Sequence, residues 1–435
     1  MLTVDSGATA WVLASATLVL LMTIPALALF YGGMVRGKSV LNMMMMSFGA
    51  AAVVGVTWVL WGYSEAFGGD IGGVVGNPFE AFGLMNIGID DIGGSIPTLV
   101  FIGFQATFAV ITVALISGAI ADRTRFVPWL IFAGIWVTVV YGPLCHMVWG
   151  GGLLGADGPI AHALVAPMDF AGGTVVHINA GVAGLVLTLI IGRRIGFAER
   201  TMRPHNLPFV MLGAGLLWVG WFGFNSGSAL AADGLAGLAW VNTFVAPAAA
   251  AGSWMVAEKI RQGKASSLGA ASGVVAGLVA VTPAAGFVSP VGAIFIGGIA
   301  GVLCAMAVSL KHRWGYDDSL DVVGVHLVGG LVGTVLVGFW STSTGLFYGG
   351  GFDQLIAQIL AAGFAMVYCA IATAAIGLAI KATIGWRIKP AYEISGIDMA
   401  LHGETAYNPS PSHHPAQPSV SLTLPTPSRP KIPTR

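Results

Sequence analysis

Charged side chains are scarce in this sequence: Asp, Glu, Lys and Arg make up 9% of its 435 residues, whereas 56% are hydrophobic. An ordinary soluble domain is about one quarter charged. Because so few charges cannot cover a water-facing surface of this size, the composition excludes a soluble globular protein and predicts that lipid faces much of the chain. Glycine is abundant, at 63 residues, which is typical of membrane helices that approach each other closely.

Cysteine and net charge are also low. Cys145, Cys304 and Cys369 lie in apolar stretches without a C-x-x-C spacing, so we interpret them as small packed side chains rather than disulfides or metal ligands. The net charge of zero argues against a nucleic-acid partner. The N-terminal segment MLTVDSGATAW has no basic residue before the first apolar stretch, so we expect no cleaved signal peptide.

Eleven apolar stretches are candidate membrane spans, since a spanning helix needs roughly 20 apolar residues. The eighth is short, and Pro283 and Pro290 separate it from the ninth. The pattern predicts an all-α integral membrane protein. Its predicted spans are 9–31, 42–63, 98–121, 128–150, 170–192, 208–231, 236–257, 267–283, 290–310, 322–342 and 354–380.

The charged residues between the spans alternate in sign. All 19 Lys and Arg residues follow odd-numbered spans, and the segments after even-numbered spans carry no Lys or Arg but hold acidic residues, among them Glu65, Asp70, Glu80, Asp90, Asp91, Asp157, Asp233 and Asp353. Basic residues are concentrated on the cytoplasmic side of membrane proteins. The alternation therefore predicts an outside N-terminus and an inside C-terminus, and it supports the count of eleven spans, because a wrong count would scramble it.

Two histidine-centred segments resemble each other. GGTVVHINAGVAGLV at 172–186 and DVVGVHLVGGLVGTV at 321–335 share a valine before the histidine and glycines four and seven residues after it. If the match is a true repeat, spans 1–5 recur as spans 6–10 with inverted orientation, and span 11 lies outside the repeat. A pseudo-twofold axis in the membrane plane would then bring His177 and His326 together near the bilayer centre.

The composition also predicts three regions. Residues 1–385 form the membrane domain. Residues 386–407 are of mixed composition and could be ordered against the inner face. Residues 408–435 are rich in Pro and Ser without apolar periodicity, and we expect a disordered cytoplasmic tail there.

Ionisable residues within the spans are candidates for function, because they are costly to bury in lipid. Asp169 is expected to cap the start of span 5, and a carboxylate at an outer vestibule would also attract a cation. Asp318 and Asp321 are interpreted as the capped start of span 10. His177 and His326 could form a helix–helix hydrogen bond, or share a proton along a narrow path, since imidazole both donates and accepts. A metal site is not expected, because further ligands are missing.

Aromatic residues gather on two spans and at the end of a third. Span 3 carries Phe104 and Phe108 one turn apart, and span 4 ends near Trp149. These rings could serve as an interface belt or as core packing. Ring faces beside a hydroxyl, such as that of Ser228 on span 6, are also suited to binding a small cation. Span 6 contains the sequence WVGWFGFNSGS at 218–228.

At these motifs the sequence resembles the ammonium transporter family (Amt/MEP/Rh), and within it the bacterial Amt branch. The similarity covers residues 10–407, and its motifs occur in the family's order. They are FYGGMVRGKSVLN at 30–42, FQATFAVITVALISGAIADRTRF at 104–126, DFAGGTVVHINAGVAGL at 169–185, GWFGFNSGSA at 220–229, DDSLDVVGVHLVGG at 317–330 and ISGIDMALHGETAY at 394–407.

The resemblance implies an outer binding site for ammonium. In this family the residues that match Trp149, Phe104 and Ser228 form the outer recruitment site. Asp169 matches a conserved aspartate beneath that site, which is thought to orient it. No cofactor, metal or catalytic residue is implied, and we expect no enzymatic activity.

The resemblance also implies a gate and a pore. Phe108 and Phe224 match the stacked pair that closes the pore. His177 and His326 match the twin histidines of the conduction path, and Trp221 is expected beside them. Potassium and ammonium have the same charge and similar size, but only ammonium can lose a proton. We therefore expect deprotonation near the gate and passage of NH3, with or without a relayed proton.

The family's assemblies provide further expectations. Its members are homotrimers with one pore per subunit, and in many bacteria a P-II (GlnK-type) protein binds the inner face and engages the C-terminal region. We accordingly expect a homotrimer in the inner (plasma) membrane, with 386–407 as a cytoplasmic regulatory region. The alternatives are an ammonium sensor with little flux, a channel for another neutral solute such as CO2 or urea, and an intramembrane enzyme.

Overall fold

Residues 3–197 and 202–407 are described by a computed structural model, and most of them are helical. Ten helices in this part of the chain are long and apolar enough to cross a membrane, and one further apolar helix, α8, is shorter. The helices are α1 (Ser6–Met34), α2 (Val40–Phe67), α3 (Thr98–Ile120), α4 (Phe126–Trp149), α5 (Gly173–Ile191), α6 (Leu207–Gly227), α7 (Gly234–Gln262), α8 (Ser267–Val281), α9 (Pro290–Trp314), α10 (Val323–Trp340) and α11 (Asp353–Thr383).

The predicted helical membrane fold is therefore confirmed for the ten long helices. The count of eleven spans stays a prediction, because α8 is shorter than the other helices. The orientation in the membrane also stays a prediction. The predicted disordered tail at 408–435 lies outside the described residues.

Helix starts coincide with polar side chains in the sequence. Asp5 accepts a hydrogen bond from Ala8 N at 2.8 Å at the start of α1, and Asp233 accepts from two backbone N–H groups at the start of α7. Ser266 and Ser289 cap α8 and α9 in the same way. Because the first N–H groups of a helix have no partner within it, these caps determine where each helix begins.

The connections between the helices contain short regular elements. Two antiparallel hairpins follow α2: β1 (Asp70–Ile71) pairs with β2 (Val75–Gly76), and β3 (Ile92–Gly93) pairs with β4 (Ile96–Pro97). Short helical turns occupy Phe82–Leu84, Pro159–Ala163, Leu346–Tyr348, Pro390–Ser395 and Ile397–His402.

The helices form one bundle, in which α3 and α5 are the most deeply buried and α11 the most exposed of the ten long helices. α5 and α10 each begin with a wider, π-helical turn, Gly173–Ile178 and Val323–Leu327. Both histidines singled out in the sequence lie in these turns, so the candidate site is at the centre of the bundle.

A buried ion-pair cluster joins the connections at the end of the bundle that carries the basic residues. Arg194 lies 2.8 Å from Asp317 and 3.3 Å from Asp122, and Arg36 lies 3.5 Å from Asp122. Burial opposes ionisation of Asp317, but hydrogen bonds and attraction from Arg194 outweigh it and hold the pKa of Asp317 below its usual value. The cluster ties together the loops that precede α2, α4, α6 and α10.

Residues 386–407 pack against this same end of the bundle. The Asp398 carboxylate accepts hydrogen bonds from Leu41 N at 3.1 Å and Asn42 N at 2.8 Å. Ile388 N donates to Arg123 O at 3.1 Å. These contacts order the segment, while its regulatory role stays a prediction.

Candidate functional site

His177 and His326 lie side by side in the centre of the bundle. Their Nδ1 atoms are 3.3 Å apart, and the rings are nearly parallel, with centroids 5.4 Å apart and planes inclined by 24°. Both side chains are buried. His177 Nε2 is also buried and has no hydrogen-bond partner among the described residues. The two imidazoles can thus share one proton through their Nδ1 atoms.

Each histidine follows a capping carboxylate by eight residues. Asp169 accepts hydrogen bonds from four successive N–H groups, of residues 172 to 175, at 2.6–3.2 Å. Asp318 accepts from Val322 N at 3.1 Å and Val323 N at 2.7 Å. Both carboxylates therefore hold the first turn of the helix that carries a histidine. Asp169 and Asp318 act as caps, as the sequence predicts.

The start of α5 also depends on one glycine. Gly172 has a φ of +116°, which L-residues with a side chain rarely adopt, and a β-carbon there would lie 2.5 Å from Val176 Cγ2. The backbone can therefore turn under Asp169 only because residue 172 is glycine. This turn leads directly into the π-helical segment that contains His177.

A stacked pair of phenylalanines lies next to the histidines. The rings of Phe108 and Phe224 have centroids 4.2 Å apart and planes inclined by 17°. Phe224 lies 6.1 Å from the His177 ring. Trp221 stacks on His177 at 5.4 Å, and its indole N–H donates to Thr282 Oγ1 at 2.9 Å. The aromatic residues thus form a wall that separates the imidazoles from the pocket beyond Phe108.

A narrow cavity lies on the histidine side of the phenylalanine pair. The cavity volume open to the centre of a water molecule is about 10 Å³, which is about the minimum that holds a single water molecule. The cavity therefore has room for roughly one small molecule between mostly apolar walls. Its lining consists of Met22, Leu27, Phe30, Ile111, Leu115, Val176, His177, Leu217, Trp221, Phe224, Val275 and His326.

A wider pocket lies on the other side of Phe108. In the same measure its volume is about 210 Å³, so it can hold several small molecules. The lining consists of Phe67, Phe101, Gln105, Phe108, Trp149, Phe170, Ser228 and Leu230. Aromatic faces and two polar groups, those of Gln105 and Ser228, converge on this pocket.

Two hydrogen bonds orient the functional groups of the wide pocket. The Trp149 indole N–H donates to Asp169 O at 2.9 Å. The Ser228 hydroxyl donates to Phe224 O at 2.8 Å. Because a hydroxyl has only one proton, Ser228 can offer a ligand in the pocket its lone pairs but no donor.

The turn before Trp149 is held at the β1–β2 hairpin. Both ring nitrogens of His146 have partners: Nδ1 is 3.0 Å from Ala66 O, and Nε2 is 2.9 Å from Asp70 Oδ1. The hydrogen bond with His146 lowers the pKa of Asp70. The end of α4, and with it Trp149, is thereby tied to the end of α2 and to β1.

The predicted site residues therefore lie in one continuous region, but two of the four predicted recruitment residues, Phe104 and Asp169, do not line the wide pocket. Phe104 is fully buried, and its ring packs edge-on against Phe108 at 4.9 Å. Asp169 caps α5 and contacts Trp149 through its carbonyl. The sequence reasoning missed Phe101 and Gln105, which lie near Phe104 on α3 and could have been found from helical spacing alone.

The chemistry available to the site is limited to hydrogen bonding, π attraction and proton exchange. Among residues 3–197 and 202–407, no group of three or more His, Cys, Asp or Glu side chains could hold a metal ion. A small cation can rest against the rings of the wide pocket. Beyond Phe108 and Phe224 a bare cation would meet apolar walls, whereas a neutral molecule would not carry that penalty.

Comparison with known proteins gives a consistent result. The family model described as the Ammonium Transporter Family matches residues 10–407. A protein of Mycobacterium tuberculosis (strain ATCC 25618 / H37Rv) named "Ammonium transporter" is 54% identical over 434 residues, covering 93% of this chain and 91% of the relative.

Solved structures are similar in fold as well. Mep2 of Saccharomyces cerevisiae has a TM-score of 0.83 and 33% identity, covering 95% of this chain and 94% of that one. A protein described as "Sensor Amt Protein" has a TM-score of 0.84 and 27% identity, covering 91% of this chain and 98% of that one.

Proposed function

This chain belongs to the Ammonium Transporter Family, and we propose that it moves ammonium across a cell membrane by drawing NH4+ into the wide pocket and conducting NH3 past the histidine pair. The observation that carries the proposal is the pair of imidazoles, with Nδ1 atoms 3.3 Å apart, behind a stacked phenylalanine pair. A hydrogen-bonding group on the far side of an apolar barrier suits a permeant that crosses the barrier uncharged.

Recruitment takes place in the wide pocket. The π face of Trp149 attracts a desolvated cation by about 0.5–2 kcal/mol. Ser228, whose proton is used on Phe224 O, accepts a hydrogen bond from NH4+. Phe104 contributes by packing against Phe108, and Asp169 by orienting Trp149.

The Phe108–Phe224 pair provides the main barrier to ions. A cation that passes between the rings would lose its water without gaining a counter-charge, at a cost of several kcal/mol. NH4+ avoids this cost by giving its proton to solvent water on the outer side of the pair and crossing as NH3, whereas K+ has no neutral form. Selectivity against K+ thus follows from deprotonation.

NH3 then enters the narrow cavity beside Trp221, where His177 and His326 offer polar edges in otherwise apolar walls. The ring nitrogens can accept from NH3 or donate to it, which compensates for its lost hydration. After the pair, NH3 is reprotonated on the inner side. A proton relayed through the two rings would make transport electrogenic.

Reconstituted protein tests this mechanism. Wild-type protein in liposomes should take up ammonium and exclude K+, and replacing His177 or His326 with alanine should reduce the uptake or abolish K+ exclusion. His312→Ala, a substitution at the basic end of the bundle, is the control. Undiminished and still K+-excluding flux in both histidine variants would overturn the proton-handling role.

Current recorded at varied pH separates the two forms of transport. A current that scales with ammonium flux means that the proton crosses with NH3, and flux without current means an NH3 channel. Competition by CO2 or urea in the same assay would instead support a channel for another neutral solute.

A sensor is a second candidate function, favoured by the likeness to the "Sensor Amt Protein" (TM-score 0.84). In this alternative the pocket binds ammonium and residues 386–407, which contact α2 through Asp398, transmit the signal. Uptake measured in a strain without other ammonium transporters distinguishes the two. A sensor would restore signalling but not growth on low ammonium.

We further propose eleven spans in an inverted repeat of five plus α11, with the wide pocket outside and residues 386–407 in the cytoplasm. The equal spacing of Asp169 from His177 and of Asp318 from His326 supports the repeat. A homotrimer in the inner (plasma) membrane, and a P-II (GlnK-type) partner at its cytoplasmic face, complete the proposal. Native mass spectrometry of the membrane-extracted protein, with and without a P-II protein, tests both assemblies.

A further inference from the structure

We propose that Gln358 of α11 is a positioning residue of the outer ammonium site, which it holds in place through Met168, Asp169 and Trp149. The inference rests on the function proposed for the wide pocket. Gln358 does not line that pocket, and it belongs to the helix outside the predicted repeat. Its side chain is completely buried.

The Gln358 amide holds one residue from both sides. Its Oε1 accepts from Met168 N at 2.7 Å, and its Nε2 donates to Met168 O at 2.8 Å and to Thr334 O at 3.1 Å. Two hydrogen bonds from one amide to the N–H and C=O of one residue fix both the position and the rotation of that residue. Gln358 thus replaces the neighbouring strand that would fix an extended segment in a sheet.

A second buried glutamine supports the first. Gln354 Nε2 donates to Gln358 Oε1 at 3.2 Å and to Ala166 O at 3.2 Å, and Gln354 Oε1 accepts from Thr344 Oγ1 at 2.6 Å. The two amides are one helical turn apart on α11 and face the same irregular segment. Every hydrogen-bonding atom of the two amides has a partner, as a buried polar network requires.

The segment that they hold has no regular structure of its own. Residues 165–169 are neither helical nor part of a strand, so side-chain contacts must determine where the backbone runs. Asp169 comes directly after Met168. Its carbonyl accepts from the Trp149 indole, and its carboxylate caps the helix that carries His177.

A shift of Met168 would therefore move Asp169 and release the Trp149 ring from its orientation. A cation bound to a π face needs the ring face turned toward it. Loss of the Gln358 hydrogen bonds should weaken ammonium binding without removing any group that touches ammonium. Binding at such a site tolerates little displacement of the Trp149 ring. We therefore expect the loss of the Gln358 hydrogen bonds, transmitted through Met168 and Asp169, to change ammonium affinity measurably.

The experiment is uptake of methylammonium by the full-length protein in liposomes. Gln358→Met keeps the length of the side chain and removes its hydrogen bonds. We expect the apparent KM to rise about five- to tenfold, with a maximal rate that changes less than about twofold. The matched control is Thr373→Val, which removes a hydrogen bond to the Trp136 indole farther along the same helix and should leave KM unchanged.

A double-mutant cycle with Trp149→Leu separates positioning from general damage. If Gln358 acts through Trp149, the KM of the double variant should equal that of Trp149→Leu alone. An unchanged KM in Gln358→Met, or effects of the two substitutions that multiply, would overturn the inference. An unchanged KM in Trp149→Leu would instead overturn the proposed recruitment site, so the two failures are distinguishable.

A milder variant covers the case in which Gln358→Met does not fold. Thr344→Val removes the outermost hydrogen bond of the network, to Gln354, together with a 3.3 Å hydroxyl contact to Ser341. It should raise KM about twofold in protein that accumulates normally. A KM equal to that of the wild type would count against the network's role.

Discussion

Gly181 of α5 lies directly against the backbone of Leu327 in α10: a β-carbon at Gly181 would be 2.5 Å from Leu327 N. Gly330, which follows His326 by four residues as Gly181 follows His177, lies against His177, and a β-carbon there would be 3.1 Å from His177 Cβ. A side chain at Gly181 would collide with the Leu327 backbone, and one at Gly330 would force its neighbours to shift, so the two glycines permit the close crossing of the helices at the histidines. The separation of the imidazoles depends on these two glycines.

Substitution of Gly181 by valine should accordingly push α5 and α10 apart. Backbone atoms cannot yield as the end of a flexible side chain can, so we expect a loss of about 1–3 kcal/mol in stability and a loss of ammonium flux. Thermal unfolding in detergent and uptake in liposomes check the two effects. Gly363→Ala is the control, because no described atom lies within 4 Å of a β-carbon there; normal flux in Gly181→Val would contradict the close crossing.

Thr282 holds the ring that stacks on His177. Its hydroxyl accepts from the Trp221 indole at 2.9 Å, so Thr282→Val leaves a buried N–H without a partner, at a cost of about 1–3 kcal/mol. We expect lower stability and slower transport from Thr282→Val, and near-normal values from Thr282→Ser, which keeps the hydroxyl. Equal behaviour of the two variants in unfolding and uptake assays would mean that the hydrogen bond does not matter.

Trp149 is predicted to determine ammonium affinity. Trp149→Leu keeps an apolar side chain but removes the π face, and a loss of about 0.5–2 kcal/mol corresponds to an apparent KM raised roughly two- to thirtyfold. The measurement is methylammonium uptake over a range of concentrations. Trp240→Leu, at a ring that is 44% exposed on α7 and does not line the wide pocket, should leave KM unchanged.

Acid should weaken the buried ion-pair cluster. Because the pKa of Asp317 is lowered from its usual 3.8, its ionised form stabilises the fold above about pH 4, and this contribution is lost as the pH falls through the lowered pKa. Stability of the wild type in detergent should decline in that range.

Asp317→Asn provides the direct test of the same cluster. Removing one partner of a buried pair leaves the positive charge of Arg194 with less negative charge to compensate it. We therefore expect stability to fall by an amount on the order of 3 kcal/mol at neutral pH, and the remaining stability to depend less on acid. Asp157→Asn, at an exposed carboxylate, is the control. A wild-type pH profile in Asp317→Asn would contradict this assignment.

Much of this architecture could be predicted from the sequence because it leaves local or periodic signals. Long apolar stretches mark the spans, and Asp169 is a short-range cap. His177 and His326 occur in matching sequence contexts, which indicate a pair without any structural distance. The length of the apolar stretch at 267–283 likewise predicts that α8 is short.

Other parts of the site depend on contacts between residues far apart in the chain. Gln358 meets Met168 across 190 residues, and Thr282 meets Trp221 across 61. An isolated Gln or Thr in an apolar helix carries no sign of its partner. Phe104 shows a related limit: helical spacing places it near Phe108, but only the packed structure distinguishes a ring that lines the pocket from one that lies behind it.

The short distance between the two Nδ1 atoms has a consequence for the tautomers of the rings. While both imidazoles are neutral, one Nδ1 must donate and the other must accept. The ring that donates through Nδ1 then has a bare Nε2, and the other ring must carry its hydrogen on Nε2. One edge of the pair is therefore a basic Nε2 atom, and the other edge is an Nε2–H donor. If the shared proton moves from one Nδ1 to the other, the first ring takes up a proton at its Nε2 and the second ring releases one from its Nε2. This exchange reverses the polarity of the pair without rotating either ring.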